Sequence, residues 1–398
     1  MNPLSDLLAL PEEEKSARGL LHTPAEIAQQ PATWLSTFEL FQERRAEIRH
    51  FLHTAGLQLE ASSRPTVFLV GAGTSDYIGR SLTQLLRRLW QCEVLAVPST
   101  DLLTNLEDWL VPGRRYLWIS FSRSGESPEG VALLQRALET HPDIYHLIVC
   151  CNAEGRMLRD TTGRKHVMGV PLPGAVQDRG LAMTSSFSNM VVFGQCLANI
   201  ENPGAFQSTL DQLVESGKSF LQTAAESAAG LAARPFKKAC FVGSGPLKAV
   251  AKESALKLLE LTSGKIQTMS ESALGLRHGP MAALDEEALF VSFLSGEQTV
   301  QNYEIMLLEE IGRKRLAKMR VVVCQNPSPN LRTRAEQVLA FKTSTPLPDD
   351  YRPPLDVIVG QLLGLFFSMR WDLKPDLPSP SGAISRVVPN ILIHKDLL

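Results

Sequence analysis

The chain has 398 residues, 44% of them hydrophobic and 21% charged, with a formal net charge of −2. That length exceeds one ordinary core and predicts two α/β domains of roughly 150–200 residues each. The near-neutral charge supplies no global field toward nucleic acid or an anionic membrane, so an anionic ligand must be captured by a local site.

Residues 1–62 carry no strand signal. Thr23-Pro24-Ala25-Glu26 reads as an N-cap threonine, a proline at the first helical position and an acidic first turn. Trp34, Phe38, Phe41, Arg45, Ile48 and Leu52 follow at helical spacing. The segment predicts a helical N-terminal arm packed on its own domain or on a partner subunit.

The α/β alternation begins at Arg64. A β-rich run at 66–70 ends in Gly71-Ala72-Gly73-Thr74-Ser75 and leads into a helix of about 15 residues. Strands follow at 93–97 and 116–120, then a loop at 121–127 and a helix opening at Pro128. Further strands at 145–150 and 167–171 and a helix near 186–200 close the unit. After an alanine-rich helical stretch near 207–233 the pattern restarts. A strand at 239–242, the turn Gly243-Ser244-Gly245 and a helix at 246–261 precede a strand at 289–293, which ends in Leu294-Ser295-Gly296-Glu297. Strands alternating with helices imply βαβ units and a parallel sheet.

The two halves share landmarks. Gly73 and Gly125 are 52 residues apart, and Gly245 and Gly296 are 51 apart. The spacing predicts a tandem duplication. The expected fold is α/β, with two tandem doubly wound parallel-sheet domains over 63–215 and 230–398 behind the arm at 1–62.

Six cysteines form no CxxC pair and no His/Cys cluster with zinc spacing, so they read as buried free thiols in a reducing compartment and no metal is expected. The first 14 residues lack a basic region and an apolar core, and the apolar run 357–369 is too short to span a bilayer. These features predict a cytoplasmic protein with no membrane partner.

Gly71–Ser75 lies between a strand and a helix, where free amides and the helix dipole favour an anion. A Gly-rich strand–helix turn also serves simply as a tight turn. Asp76 stands where a dinucleotide fingerprint needs its third glycine, and no Gly-Lys-Ser/Thr follows, so no nucleotide cofactor is implied. Ser122-Arg123-Ser124-Gly125-Glu126-Ser127 offers three hydroxyls at i, i+2 and i+5 that can converge on one tetrahedral anion. Both loops fall at carboxyl ends of strands, where open α/β sheets bind ligands. Thr184-Ser185-Ser186 is a third hydroxyl cluster at a helix start. The second half keeps the glycines and retains only Ser292 and Ser295 around its second landmark, which places one phosphate site in the first half. Glu253, Lys257 and Glu260 fall at i, i+4 and i+7 of one helix, a spacing that reads as a solvated salt-bridge face. His278, in Arg277-His278-Gly279-Pro280, reads as a surface loop histidine.

Gly71–Ser75, Ser122–Ser127 and the Lys257, Glu260, His278-Gly279-Pro280 set resemble the sugar isomerase (SIS) family, a flavodoxin-like sandwich. They are similar in particular to the tandem isomerase half of glucosamine-6-phosphate synthase, without its glutaminase half. Thr33-Trp34, Phe38, Ser99-Thr100-Asp101-Leu102, Cys151-Asn152-Ala153-Glu154-Gly155, Ala182–Phe187 and Pro378–Gly382 resemble the galactosamine-6-phosphate deaminase/isomerase group, also called tagatose-6-phosphate ketose/aldose isomerase. The resemblance spans about residues 20–390.

The resemblance implies a phosphate held by Ser122, Ser124, Ser127 and the backbone near Arg123. It places Gly73, Thr74, Ser75 and Ser185 around the sugar and Lys257 beside the substrate. It makes Glu260 the carboxylate that moves protons between C1 and C2, and His278 the ring-opening group, supplied across a homodimer with a shared active site. Arg123 departs from the synthase, which has glutamine there. Lys395, in the tail Ile393-His394-Lys395-Asp396, does not align with the lysine that ends the synthase and takes no covalent role. The implied ligand is a small-molecule sugar phosphate, with no cofactor and no nucleic acid. The implied activity is deamination of an amino-hexose phosphate. The alternatives are plain ketose–aldose isomerisation and a non-catalytic sugar-phosphate sensor. A sensor would need neither Glu260 nor His278.

Overall fold

The computed structural model describes residues 2–388, 392 and 393. Among the described residues, ten strands form two five-stranded sheets. The first contains β1 (Thr66–Gly71), β2 (Val94–Pro98), β3 (Tyr116–Ser122), β4 (Tyr145–Cys150) and β5 (Val167–Pro171) in the order β2-β1-β3-β4-β5. The second contains β6 (Lys238–Gly243), β7 (Gln267–Glu271), β8 (Ala288–Phe293), β9 (Met319–Gln325) and β10 (Gln337–Phe341) in the order β10-β9-β8-β6-β7. Every pairing is parallel. With β6 to β10 taken as first to fifth, the second order is the first one read backwards. In both sheets the winding reverses between the first and third strands, β1/β3 and β6/β8. Such a reversal leaves a crevice at the carboxyl edge.

Helices cover both faces, so the central strands are apolar throughout rather than alternating. β1 and β3 are buried at every residue. Phe68, Val70, Trp118 and Val97 pack with Leu102, Leu106, Leu133 and Ala137 from the Ser99–Trp109 and Pro128–Thr140 helices. In the second sheet Cys240, Val242, Phe290 and Val322 pack with Leu307, Leu308 and Ile311 of the Gln298–Arg313 helix.

The residues group into two compact units. The first-sheet unit holds Thr33–Gln177, Ser185–Phe206 and the described residues from Ser385 onward; the second-sheet unit holds the described residues up to Ala32, Asp178–Thr184 and Gln207–Ile384. The stretch read as one N-terminal arm therefore contributes to both. Its long helix, Gln30–Thr54, joins the first-sheet unit from Thr33 onward. There Trp34 Nε1 donates to Ser188 Oγ at 2.9 Å, Thr37 Oγ1 donates to Asn189 Oδ1 at 2.7 Å, and Phe41 meets Phe193 edge-on.

Three expectations need correction. β3 runs two residues past the expected 116–120, through Phe121 and Ser122. Thr23 is not an N-cap: it is the first residue of the Thr23–Ala28 helix. Its amide and hydroxyl both donate to Asp376 Oδ1 at 2.7 Å, so the cap comes from a residue 353 positions away. Strands β7, β9 and β10 complete a second sheet for which the sequence pattern marked only β6 and β8.

Candidate active site

The turn after β1 is shaped by two glycines. A Cβ on Gly71 would lie 2.5 Å from the Ser75 carbonyl carbon, so the backbone passes too close for a side chain. Gly73 has φ +56 and opens onto free space, a conformation only glycine adopts without strain. The Thr74–Trp90 helix starts immediately after, with Thr74 and Ser75 buried at its N-terminus.

The loop after β3 leaves the neighbouring strand, on the far side of the reversal point. Ser122 Oγ accepts from the Gly125 amide at 2.9 Å, and Ser124 Oγ accepts from the Glu126 amide at 3.2 Å. Ser127 is the N-cap position of the Pro128–Thr140 helix without a capping hydrogen bond from its side chain. The hydroxyl protons of Ser122, Ser124 and Ser127 find no acceptor among the described residues. Three hydroxyls free to donate, at the end of a helix with unsatisfied amides, suit an oxyanion. Arg123 is buried, and its Nη2 donates to the Arg386 carbonyl of the tail.

The segment after β4 clamps this loop, a role the sequence did not reveal. Asn152 Nδ2 donates to the Ser124 carbonyl at 2.9 Å, the Arg156 amide donates to Glu126 Oε1 at 3.0 Å, and the Met157 amide donates to the Gly125 carbonyl at 3.0 Å. A Cβ on Gly155 would lie 2.6 Å from the Ser124 carbonyl oxygen. The Cys151–Gly155 motif is thus the physical support of the serine loop.

Ser185 opens the Ser185–Ala198 helix and is completely buried. Asn189 Nδ2 donates to its carbonyl at 2.8 Å.

The remaining predicted residues belong to the second-sheet unit. The expected solvated face of Glu253, Lys257 and Glu260 is overturned: the Glu253 and Lys257 side chains are 0% and 1% exposed, and Glu260 is 24% exposed. The cause is a close helix pair. Gly360 and Gly364 of the Pro353–Arg370 helix leave no room for a side chain, since Cβ atoms there would lie 2.5 Å from Ser254 Cα and 2.9 Å from the Lys257 carbonyl oxygen. That approach seals one side of the Pro246–Leu261 helix. Lys257 Nζ sits 3.3 Å from Glu253 and 2.7 Å from Glu260. Burial alone would lower the lysine pKa; the two carboxylates outweigh it and raise the pKa above its ordinary value. Lys257 is therefore a fixed cation that anchors the half-buried Glu260.

His278 is exposed and its imidazole has no hydrogen-bond partner among the described residues. Its loop is nonetheless anchored by the two residues before it. Leu276 is buried in the second core, and Arg277 Nε donates to Glu310 Oε2 at 2.8 Å. No hydrogen bond or ion pair joins His278 to Lys257 or Glu260. Lys395 lies outside the described residues. Among those described, no group of His, Cys, Asp and Glu is arranged to hold a metal ion, and no helix is long and apolar enough to cross a membrane.

The chain is 33% identical over 373 residues to the D-galactosamine-6-phosphate deaminase AgaS of Escherichia coli, covering 94% of this chain and 95% of the relative. It belongs to the AgaS family of SIS-domain enzymes. The Escherichia coli tagatose-6-phosphate ketose/aldose isomerase crystal structure superposes with a TM-score of 0.83 at 31% identity, over 91% of this chain and 95% of that one. A proposed tagatose-6-phosphate ketose/aldose isomerase from Clostridium novyi NT superposes at 0.92 with 28% identity, over 97% and 98%. No protein-family model matches the chain. The AgaS likeness covers the serine loop, its Cys151–Gly155 clamp and the Glu260 helix alike, because the aligned region takes in nearly the whole chain.

Proposed function

We propose that this chain deaminates and isomerises an amino-hexose 6-phosphate, with galactosamine-6-phosphate as first choice and glucosamine-6-phosphate as second, to a ketose 6-phosphate and ammonia. The observation that carries the reading is Glu260, a partly exposed carboxylate held 2.7 Å from a buried lysine that cannot reach bulk water. An anchored carboxylate of this kind is suited to shuttling one proton between adjacent carbons. The E. coli relative's name, a D-galactosamine-6-phosphate deaminase, supports the choice of sugar.

In this reading Ser122, Ser124, Ser127 and the amides near Arg123 bind the phosphate. Gly73, Thr74, Ser75 and Ser185 surround the sugar. The phosphate's binding energy orients C1 and C2 for proton transfer. His278 moves the ring-oxygen proton as the sugar opens, and its exposure suits a histidine lent across a homodimer. In the open aldose the C2 hydrogen is α to the C1 carbonyl. Glu260 removes it as a proton, and the C2–H electron pair forms the C1=C2 bond of a cis-enolamine while O1 gains a proton. Return of the proton to C1 shifts the unsaturation to C2=N. Water adds to that imine and ammonia leaves, giving the ketose without net oxidation or reduction. The test is ammonia release from galactosamine-6-phosphate, glucosamine-6-phosphate and an amine-free hexose phosphate. Glu260→Gln should lower kcat by about 10²–10⁴-fold while the sugar phosphate still binds. Turnover of the amine-free sugar alone would indicate a plain isomerase. Binding without any turnover would establish a sensor and refute the roles of Glu260 and His278.

A further inference from the structure

The second sheet has its own reversal point, between β6 and β8, and it carries the same two turns as the first. Gly245 has φ +55 beside +56 at Gly73, and a Cβ on Gly243 would strike the Leu247 backbone as one on Gly71 would strike Ser75. After β8, the Glu297 amide donates to Ser295 Oγ at 3.0 Å, the same turn that the Glu126 amide makes on Ser124 at 3.2 Å. The Gln298–Arg313 helix follows, as the Pro128–Thr140 helix follows the first loop.

The difference lies in what the donors hold. In the first loop the hydroxyl protons are unclaimed. In the second, Ser295 Oγ donates to Asp349 Oδ2 at 2.5 Å, and the Gly296 amide donates to Asp349 Oδ1 at 2.9 Å. Arg352 Nη1 donates to the same Oδ1 at 2.9 Å, from a side chain that is 0% exposed. A serine hydroxyl, a glycine amide and a buried guanidinium around one oxyanion are the donor set of a phosphate site. The oxyanion here is the protein's own.

We propose that Asp349 is a permanent internal occupant of an anion cradle at the reversal point of the second sheet, and that this cradle, once emptied, takes a phosphate group. The duplicated architecture then offers two anion sites per chain but leaves one open. The ligand class rests on the reading of the first-sheet serine loop as a phosphate site; the occupancy by Asp349 does not.

The experiment is equilibrium dialysis of the full chain against labelled inorganic phosphate, with folding followed by circular dichroism. The wild type should bind one phosphate per chain, Ser124→Ala/Ser127→Ala none, Asp349→Ala two, and the three substitutions together one. A wild type that binds two, or a folded Asp349→Ala that binds no more than the wild type, overturns the inference. Asp349→Ser, which also removes the carboxylate, replaces the alanine variant if that does not fold, with the same expectation. If Ser124→Ala/Ser127→Ala binds as the wild type does while Asp349→Ala still gains a site, the first-loop reading fails and the occupancy of the cradle stands.

Discussion

Replacing Lys257 with methionine separates a surface ion pair from a buried one. The side chains of Lys257 and Glu253 are 1% and 0% exposed, with Nζ 3.3 Å from the Glu253 carboxylate. On a solvated helix face the i, i+4 pair would contribute about 0.3–0.5 kcal/mol. In the observed setting, methionine keeps the length and apolar stem but removes the cation that sits 3.3 Å from the buried Glu253 carboxylate. Breaking one side of such a pair costs about 3–5 kcal/mol. For a domain of this size each kcal/mol lowers Tm by about 2–4 °C, so Lys257→Met should melt about 6–20 °C below wild type at neutral pH. Glu253→Gln/Lys257→Met should recover most of that loss, because removing both charges also removes the desolvation cost. Calorimetry of the two variants measures the effect. A Lys257→Met shift under about 2 °C, in the range of an exposed pair, would refute the burial argument.

The clamp on the serine loop can be tested without touching the serines. Asn152→Ala removes the hydrogen bond to the Ser124 carbonyl, worth about 1 kcal/mol, and should raise KM for the sugar phosphate about fivefold with kcat nearly unchanged. Gly155→Ala places a methyl 2.6 Å from the Ser124 oxygen and should raise KM by about tenfold or more, given an overpacking cost of about 1–3 kcal/mol. An unchanged KM with only a stability loss would count against the clamp. Glu304 supplies a pH test. Burial pushes its carboxyl up from 4.5 to about 7, aided by Asp349 and opposed by Ser244, the Ser295 amide and Arg352. Its contribution to stability is full below the unfolded value and is lost as pH rises through the folded one. Glu304→Gln should therefore gain roughly 3 kcal/mol on wild type in urea unfolding between about pH 4.5 and pH 8. Parallel pH profiles for the two proteins would contradict it.

The first sheet was legible because each of its strands is a short apolar run closed by a turn signal, including the edge strands β2 and β5. The second was half legible. β7 reads Gln-Thr-Met-Ser-Glu, is an edge strand and is exposed or half-buried along its length, so it carries no apolar alternation. β10 is the opposite edge. β9 is central and contains Val321-Val322-Val323, a β-branched run that marks a strand once a second sheet is sought. The serine loop could be found from its hydroxyl spacing and the proline that opens the next helix. Its clamp could not, because Asn152 and Gly155 act on a neighbouring strand's loop about 30 residues earlier in the chain.

Periodicity, Gly-rich turns and repeated landmarks are local properties of the chain, and they were enough to determine an α/β architecture and to locate a hydroxyl-rich loop between a strand and a helix in its first half. Burial and long-range pairing are not local. The i, i+4, i+7 spacing of Glu253, Lys257 and Glu260 is the same whether a helix face meets water or another helix; the approach permitted by Gly360 and Gly364 decided it. The second loop likewise kept its Ser-Gly-Glu sequence, and only the fold brought Asp349, 53 residues beyond Gly296, onto its donors.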